Sequence, residues 1–269
     1  MQTVPANPIR VAVAQAPAEP ADLAGNARVA ARLVGQAAAA EASLVVLPEL
    51  FLPAYNPPAL ADADRTDLLS MEDPRLAPIQ ETARDNEIHA IVGAAVRVDG
   101  RRFIAALHFR PDGGVTDAYH KKNLIAPDES DLFSCGDSDA AITVDDWVFG
   151  LGICYDGCFP EHARKAALAG AHAYAIPTAY VHGSDHRRDL YYAARALDNT
   201  FYVLTANAVD GPEPWRLSGG SAIYDPEGRP LGRAPVTGEG MVVADLDPKI
   251  LRETREAHTM LADVQLTRS

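Results

Sequence analysis

The chain has 269 residues, 48% hydrophobic and 23% charged, with a formal net charge of −13. That length supports a sizeable core, and those fractions are ordinary for a water-soluble globular protein. The acidic balance argues against a general nucleic-acid binder, which needs a basic face. No apolar run approaches the roughly 18 residues of a membrane span, and residues 1–8 lack the charged start and long apolar stretch of a signal peptide. The three cysteines, Cys135, Cys154 and Cys158, are odd in number. A cytoplasmic protein with reduced thiols is the simplest expectation.

Residues 9–15 form a Val/Ala-rich run that reads as a buried strand. Pro17 and Pro20 break it. Asp22 is an N-cap, and the spacing of Leu23, Ala27, Ala30, Val34 and Ala38 predicts a helix to about Glu41. Residues 43–47 read as a second buried strand, stopped by Pro48. Glu49 then stands just past a strand end, where open α/β folds place ligand-binding groups. Residues 51–70, rich in Pro, Ala and Asp, read as an irregular loop walling a pocket. Asp73-Pro74 pairs an N-cap with a first-turn proline and opens a helix to about Asn86. Residues 88–98 and 103–110 are strands around the turn Asp99-Gly100. A second turn at 111–114 extends this into a meander. Residues 115–119 lead into His120-Lys121-Lys122-Asn123, and a loop covers 126–137.

Residues 141–144 and 147–153 read as strands, and the second runs straight into Cys154. A turn at Asp156-Gly157 and a helix start at Phe159-Pro160-Glu161 follow. A cysteine on such a bend can be held rigidly with its sulfur facing a cleft. The backbone N–H groups beyond it favour anionic sulfur or oxygen. A helix over 160–169, a strand over 172–177 and a loop over 178–184 come next. Residues 185–199 read as a helix with Leu190, Ala193, Ala194 and Leu197 on one side. Strands are expected at 201–207, 219–224, 229–232 and 240–246. The charged tail from Asp247 is expected outside the core, against another subunit.

Strands alternate with helices early and late, hairpins lie between, and no linker interrupts them. The expectation is one α/β domain over 1–269, with a core of about 9–247 and a tail of about 248–269. Mixed sheets covered by helices would form it. A dozen strands is large for one sheet, so two stacked sheets are expected.

Glu49, Lys121 and Cys154 each follow a strand, and each covers a deficiency of the others. A thiol with a pKa near 8.5 is only partly ionised at neutral pH. A carboxylate within reach can take its proton as general base. A fixed ammonium keeps that carboxylate charged and stabilises the oxyanion of a tetrahedral intermediate. Together they make an acyl-transfer site that needs no metal and no organic cofactor. His182-x3-His186 with Asp185 has a metal-like spacing but no third ligand, so no metal is expected. No G-x-S-x-G elbow or P-loop appears.

The chain resembles the nitrilase superfamily of carbon–nitrogen hydrolases from Val11 to about Asp247. Leu47-Pro48-Glu49-Leu50-Phe51 is similar to the family's glutamate motif. Tyr119-His120-Lys121-Lys122-Asn123-Leu124 is similar to its lysine motif. Gly152-Ile153-Cys154-Tyr155-Asp156 with Phe159-Pro160-Glu161 is similar to its cysteine motif. Residues 194–199, 219–221 and 225–228 match further. The resemblance selects Lys121 over Lys122 and implies a fourth site residue, Glu129, which positions substrate or supports the base and lysine. The chain departs from the pattern at His120, where arginine is frequent, at Asn123, where the family usually has histidine, and at Gly157 or Cys158, where it usually carries arginine.

The resemblance implies a four-layer αββα sandwich, pairing of subunits into a homodimer through helices near the cysteine, and amidase activity on a small linear amide. Alternatives are a hydrolase of N-carbamoyl amines or amino acids, a nitrilase, or a silent binding member. Arginines just after the cysteine often hold a carboxylate in carbamoylases, and Gly157-Cys158 offers none. Tyr55, Tyr155, Tyr180 and Trp215 are candidate pocket walls. Cys135 and Cys158 read as structural or incidental. The expected partner is a small amide, with neither nucleic acid nor membrane.

Overall fold

The computed structural model describes residues 3–266. The chain starts with β1 (Ile9–Gln15), α1 (Leu23–Ala39) and β2 (Leu44–Val46). Two short helices, α2 (Pro57–Leu60) and α3 (Ala63–Thr66), precede β3 (Asp67–Leu68). A 3₁₀ turn then opens α4 (Ala77–Asp85). A meander follows: β4 (His89–Val98), β5 (Arg101–Phe109) and β6 (Val115–His120). The hairpin β7 (Ala141–Val144) and β8 (Trp147–Leu151) leads into a 3₁₀ turn over Cys154–Cys158, then α5 (Pro160–Leu168). Next come β9 (Ala173–Thr178), α6 (Asp185–Asn199), β10 (Tyr202–Asn207), β11 (Val209–Asp210), β12 (Leu217–Ser218), β13 (Ala222–Tyr224), β14 (Pro230–Arg233) and β15 (Gly240–Leu246). The helices α7 (Pro248–Ala257) and α8 (Met260–Leu266) close the described chain.

Two mixed sheets stack face to face. The first runs β15-β1-β2-β4-β5-β6, with β3 paired to β4; the second runs β14-β13-β10-β9-β8-β7. In each, three parallel strands, β1-β2-β4 and β8-β9-β10, form the centre and antiparallel strands flank them. The period-two alternation of a strand sorts side chains between layers. Val11, Val13, Leu44, Val46 and Ile91 face the second sheet. Ala12, Ala14, Val45, Leu47 and Val92 face α1 and α4 instead. The residues on both sides are apolar, so the central strands carry no alternation of polarity, as expected of a covered parallel sheet. On the far side, Ala163 and Ala167 of α5 and Tyr192 and Ala196 of α6 pack on the second sheet. The order helix, sheet, sheet, helix is the expected αββα sandwich.

Several local expectations change. Residues 51–70 hold α2, α3 and β3 rather than irregular loop throughout. Asn56 caps α2 by accepting from Ala59 N–H at 3.0 Å. Helix α6 turns its apparent apolar stripe outward: Leu190 is 69% exposed and Leu197 39%. Its buried face carries Arg188, Tyr192, Arg195, Ala196 and Asn199. Arg188 is tolerated there because its guanidinium bonds Ser218 Oγ at 3.0 Å, the Gly219 carbonyl and Asp189. Gly219 and Gly220 are not strand; both take positive φ, in a bend between β12 and β13.

The tail packs on its own subunit. Leu251 is fully buried, Arg255 donates to the Thr200 and Ala171 carbonyls, and α8 lies against α5 and α6. Residues 267–269 of that expected tail lie outside the described residues. Among the described residues no helix is long and apolar enough to cross a membrane.

Candidate active site

Glu49 is placed by a detour of the chain past β2. Leu47 N–H donates to the Ile91 carbonyl at 2.8 Å and Leu52 N–H to that of Gly93 at 3.0 Å. Between them the backbone lies directly over Gly93. A Cβ at residue 93 would stand 2.2 Å from the Pro48 oxygen and 2.4 Å from the Leu50 nitrogen, so only glycine admits this path. Leu50 adopts φ of +49° in the same turn. Glu49 is left buried at the edge of the inter-sheet core.

Lys121 leaves β6 with its N–H on the Ile104 carbonyl at 2.8 Å. Its Nζ, fully buried, donates to Glu49 Oε1 at 2.7 Å and to both oxygens of Glu129 at 2.7 Å. Glu129 also accepts from Tyr55 O–H at 2.9 Å and from Ile125 N–H at 3.0 Å. One buried ammonium between two buried carboxylates is costly to desolvate and is weak evidence for stability. Such a cluster next to a thiol is a candidate functional site.

Burial pushes the Glu49 carboxyl up from 4.5 to about 7, against the opposing pull of Lys121. Burial opposes the Lys121 charge, but Glu49 and Glu129 outweigh it and hold the ammonium above its ordinary value. Burial, helped by Glu49, raises the Cys154 thiol well above its ordinary value, while Lys121 and the Ala179 backbone pull it down. The thiol is therefore protonated at rest. Its side chain interacts directly with Glu49. Glu49 Oε2, the oxygen not bound to Lys121, makes no hydrogen bond of ordinary geometry and is free to accept.

Cys154 sits at the first residue of the 3₁₀ turn with φ of +46°, a left-handed conformation that costs a non-glycine residue about 1–2 kcal/mol. Tyr192 O–H fixes its carbonyl at 3.0 Å. Asp156, fully buried, ties this turn to the lysine segment. Its Oδ2 accepts from Ile153 N–H at 3.0 Å and Tyr119 O–H at 2.8 Å. Its Oδ1 accepts from Asn123 N–H at 2.9 Å and Asn123 Nδ2 at 2.8 Å. The expected turn at Asp156-Gly157 is thus also a clamp. Tyr119 spends its one proton on Asp156, so His162 Nε2–H donates to Tyr119 at 2.8 Å. His162 Nδ1 then accepts from Tyr174 O–H at 2.8 Å. Burial lowers the His162 pKa, in keeping with a neutral ring.

A cavity of about 540 Å³ opens onto Cys154, and Tyr55, Tyr155, Tyr180 and Trp215 line it. Tyr55 is buried and its hydroxyl is committed to Glu129, so it supports the acid as well as walling the pocket. Tyr155 packs edge-on against Phe159 with ring centres 5.0 Å apart. Tyr180 O–H lies 3.2 Å from Cys158 Sγ. Gly157 has no room for a side chain: a Cβ would stand 2.5 Å from Tyr192 Cε1. Cys158 alone of the two occupies the wall where an arginine was expected. Cys135 is exposed, as are His182 and His186. Among the described residues no three His, Cys, Asp or Glu side chains group as metal ligands.

The model of the carbon–nitrogen hydrolase family matches residues 10–256. The chain belongs to the carbon–nitrogen hydrolase family. It is 34% identical over 261 residues to a hydrolase encoded in the pqqF 5′ region of Pseudomonas protegens, covering 95% of this chain and 88% of that protein. It is 32% identical over 244 residues to an omega-amidase of Mus musculus, covering 86% of each. A solved structure of the amidase from Nesterenkonia sp. AN1, a cysteine-to-alanine variant in complex with butyramide, superposes with a TM-score of 0.80 at 28% identity. The match covers 94% of this chain and 97% of that one.

In this carbon–nitrogen hydrolase the four acidic, basic and thiol residues expected from sequence meet in one buried cluster, of which Cys154 lines the cavity. Three contributors escaped sequence reasoning. Gly93 sits inside a strand, and an interior glycine signals a close backbone approach. Asp156 was visible only as a turn residue. Arg187, on the cavity wall, gave no signal beyond its position in a helix first turn.

Proposed function

We propose that this hydrolase cleaves the C–N bond of a small linear amide to a carboxylic acid and ammonia through a thioester on Cys154. The observation that carries this reading is Lys121 Nζ bonded at 2.7 Å to both Glu49 and Glu129, all buried beside a protonated thiol. Glu49, raised to about 7, is matched to accept and return a proton near neutral pH. It takes the thiol proton as Cys154 sulfur attacks the amide carbon. Lys121 and the backbone N–H of Tyr155 hold the resulting oxyanion. Collapse breaks the C–N bond, and Glu49 gives its proton to the departing nitrogen, which leaves as ammonia. Water, deprotonated by Glu49, then attacks the thioester. The C–S bond breaks, the acid leaves, and the proton returns to sulfur. Glu129 keeps Lys121 in position throughout. The steps call for no metal and no organic cofactor.

The omega-amidase relative and the butyramide-bound Nesterenkonia amidase support the amide class. Ammonia release from short linear amides tests it, and Cys154→Ala should abolish that release while keeping the fold. Carbon dioxide appearing with ammonia from N-carbamoyl compounds alone would overturn it. We also expect a cytoplasmic homodimer, with a second copy covering Leu190 and Leu197 of α6; a monomer mass in sedimentation would contradict this.

A further inference from the structure

The hydrogen bonds around Asp156 continue away from the substrate cavity, through Tyr119 to His162 of α5 and Tyr174 of β9. Tyr119 O–H has two acceptors at 2.8 Å, Asp156 Oδ2 and His162 Nε2, and one proton to give. Which of them receives it depends on the His162 tautomer. Tyr174 decides that tautomer. Its hydroxyl lies 2.8 Å from His162 Nδ1, which is its one hydrogen-bond partner among the described residues. Tyr174 is fully buried, and a Cβ at Gly152 would stand 2.0 Å from its oxygen, so the hydroxyl fills the space at the strand exit that leads to Cys154. A proton on Nδ1 would leave the Tyr174 hydrogen buried without an acceptor and would let Tyr119 turn its own proton from Asp156 to Nε2. With Nδ1 accepting, Nε2 carries the hydrogen and Tyr119 donates to Asp156 alone. Burial lowers the His162 pKa against the pull of Asp156, 3.9 Å away, and of Asp139; Lys122 and Lys165 act in the same direction as burial.

We propose that His162 is a positioning residue for the thiol: donating from Nε2, it fixes the Tyr119 proton on Asp156, and Asp156 so held sets the Cys154 turn against the segment that bears Lys121. Tyr119 and Asn123, two of the partners of Asp156, flank Lys121 in the chain, and Ile153, the third, precedes Cys154. A loosened Tyr119 therefore shifts sulfur and ammonium relative to each other, and small misplacements of reacting groups are costly in rate. His162 also lines a separate cavity of about 280 Å³ between α5 and β8, with Gly150, Leu151, Lys165 and Ala166. Among the described residues, none lines both this cavity and the one over Cys154. A changed side chain at residue 162 thus has room and leaves the substrate cavity intact. This inference rests on the reading of Cys154 as nucleophile above.

The test has two arms. Long-range proton–nitrogen NMR of histidine-labelled native protein reads the tautomer, with His162 assigned by the signals lost in His162→Gln. A neutral ring with its hydrogen on Nε2 is expected at neutral pH. A ring with its hydrogen on Nδ1, or a charged ring, would overturn the proposal. This arm needs no turnover, so it decides the hydrogen-bond claim even if no amide is hydrolysed. The second arm compares two amide side chains by turnover of butyramide. The longer amide of His162→Gln can place an N–H where Nε2–H stood, whereas the shorter one of His162→Asn reaches only the Nδ1 position. His162→Asn should lower kcat by about tenfold, the scale of one buried hydrogen bond left unmade, with KM within about twofold. His162→Gln should keep kcat within about threefold of the native value. A role in packing alone does not separate the two amides. An equal loss of kcat in both variants, or a change confined to KM, would overturn the positioning role and leave the amidase reading intact.

Discussion

At the scale of single residues, the site is a contest between burial and charge. Lys121 pulls Glu49 toward the ionised form, and burial pulls harder the other way, raising it to about 7. In the proposed mechanism Glu49 is the base and works only when deprotonated. Activity should therefore fall as pH drops below about 7, with kcat/KM losing close to tenfold per pH unit on the acid side. A carboxyl at its ordinary value would move that limb to about 4.5. The Cys154 thiol is raised and Lys121 is held charged, so neither adds a limb near neutrality. A raised carboxyl also binds more protons in the folded state than in the unfolded state. Its contribution to stability is full below about 4.5 and is lost as pH rises through about 7. Sequence displayed these residues because each chemical type stands at a strand end within a motif. It could not display the free Glu49 oxygen or the partnering of Tyr55 with Glu129, since both depend on packing between distant segments.

At the scale of elements, the spacing of Glu49, Lys121 and Cys154 depends on how the exits of β2, β6 and β8 are tied together. Gly93 lets the β2 exit lie on β4, and Asp156 joins the β6 exit to the β8 exit. Asp156→Asn puts an amide where four donors converge and leaves buried N–H groups unpaired. It should destabilise the protein by about 2–4 kcal/mol and lower kcat more than it raises KM. Urea denaturation and steady-state kinetics check both; unchanged kcat would remove Asp156 from the positioning of Cys154 and Lys121. Most strands and the long helices were legible because apolar runs, caps and turn residues agreed. Helix α6 misled because Leu190 and Leu197 look like a core stripe, while a buried Arg188 looks like surface. Only the carbonyl and hydroxyl partners at Ser218 and Gly219, some 30 residues on, reverse that judgement. The segment 51–70 misled because short helices of four residues leave no periodicity to read.

At the scale of the molecule, two stacked sheets bring three strand ends to one buried cluster, and the outer helices cover the sheets on both faces. The first sheet supplies Glu49 and Lys121, and the second supplies Cys154. The central claim, that Cys154 is the nucleophile served by Glu49, is tested most directly by reaction with 2-fluoroacetamide at neutral pH. Sulfur displaces fluoride, and peptide mass spectrometry locates the new C–S bond. The account predicts label on Cys154, with loss of turnover in step with labelling, and none on Cys135 or Cys158 at that stage. Full labelling of Cys154 with turnover intact, or loss of turnover with Cys154 unmodified, would contradict it.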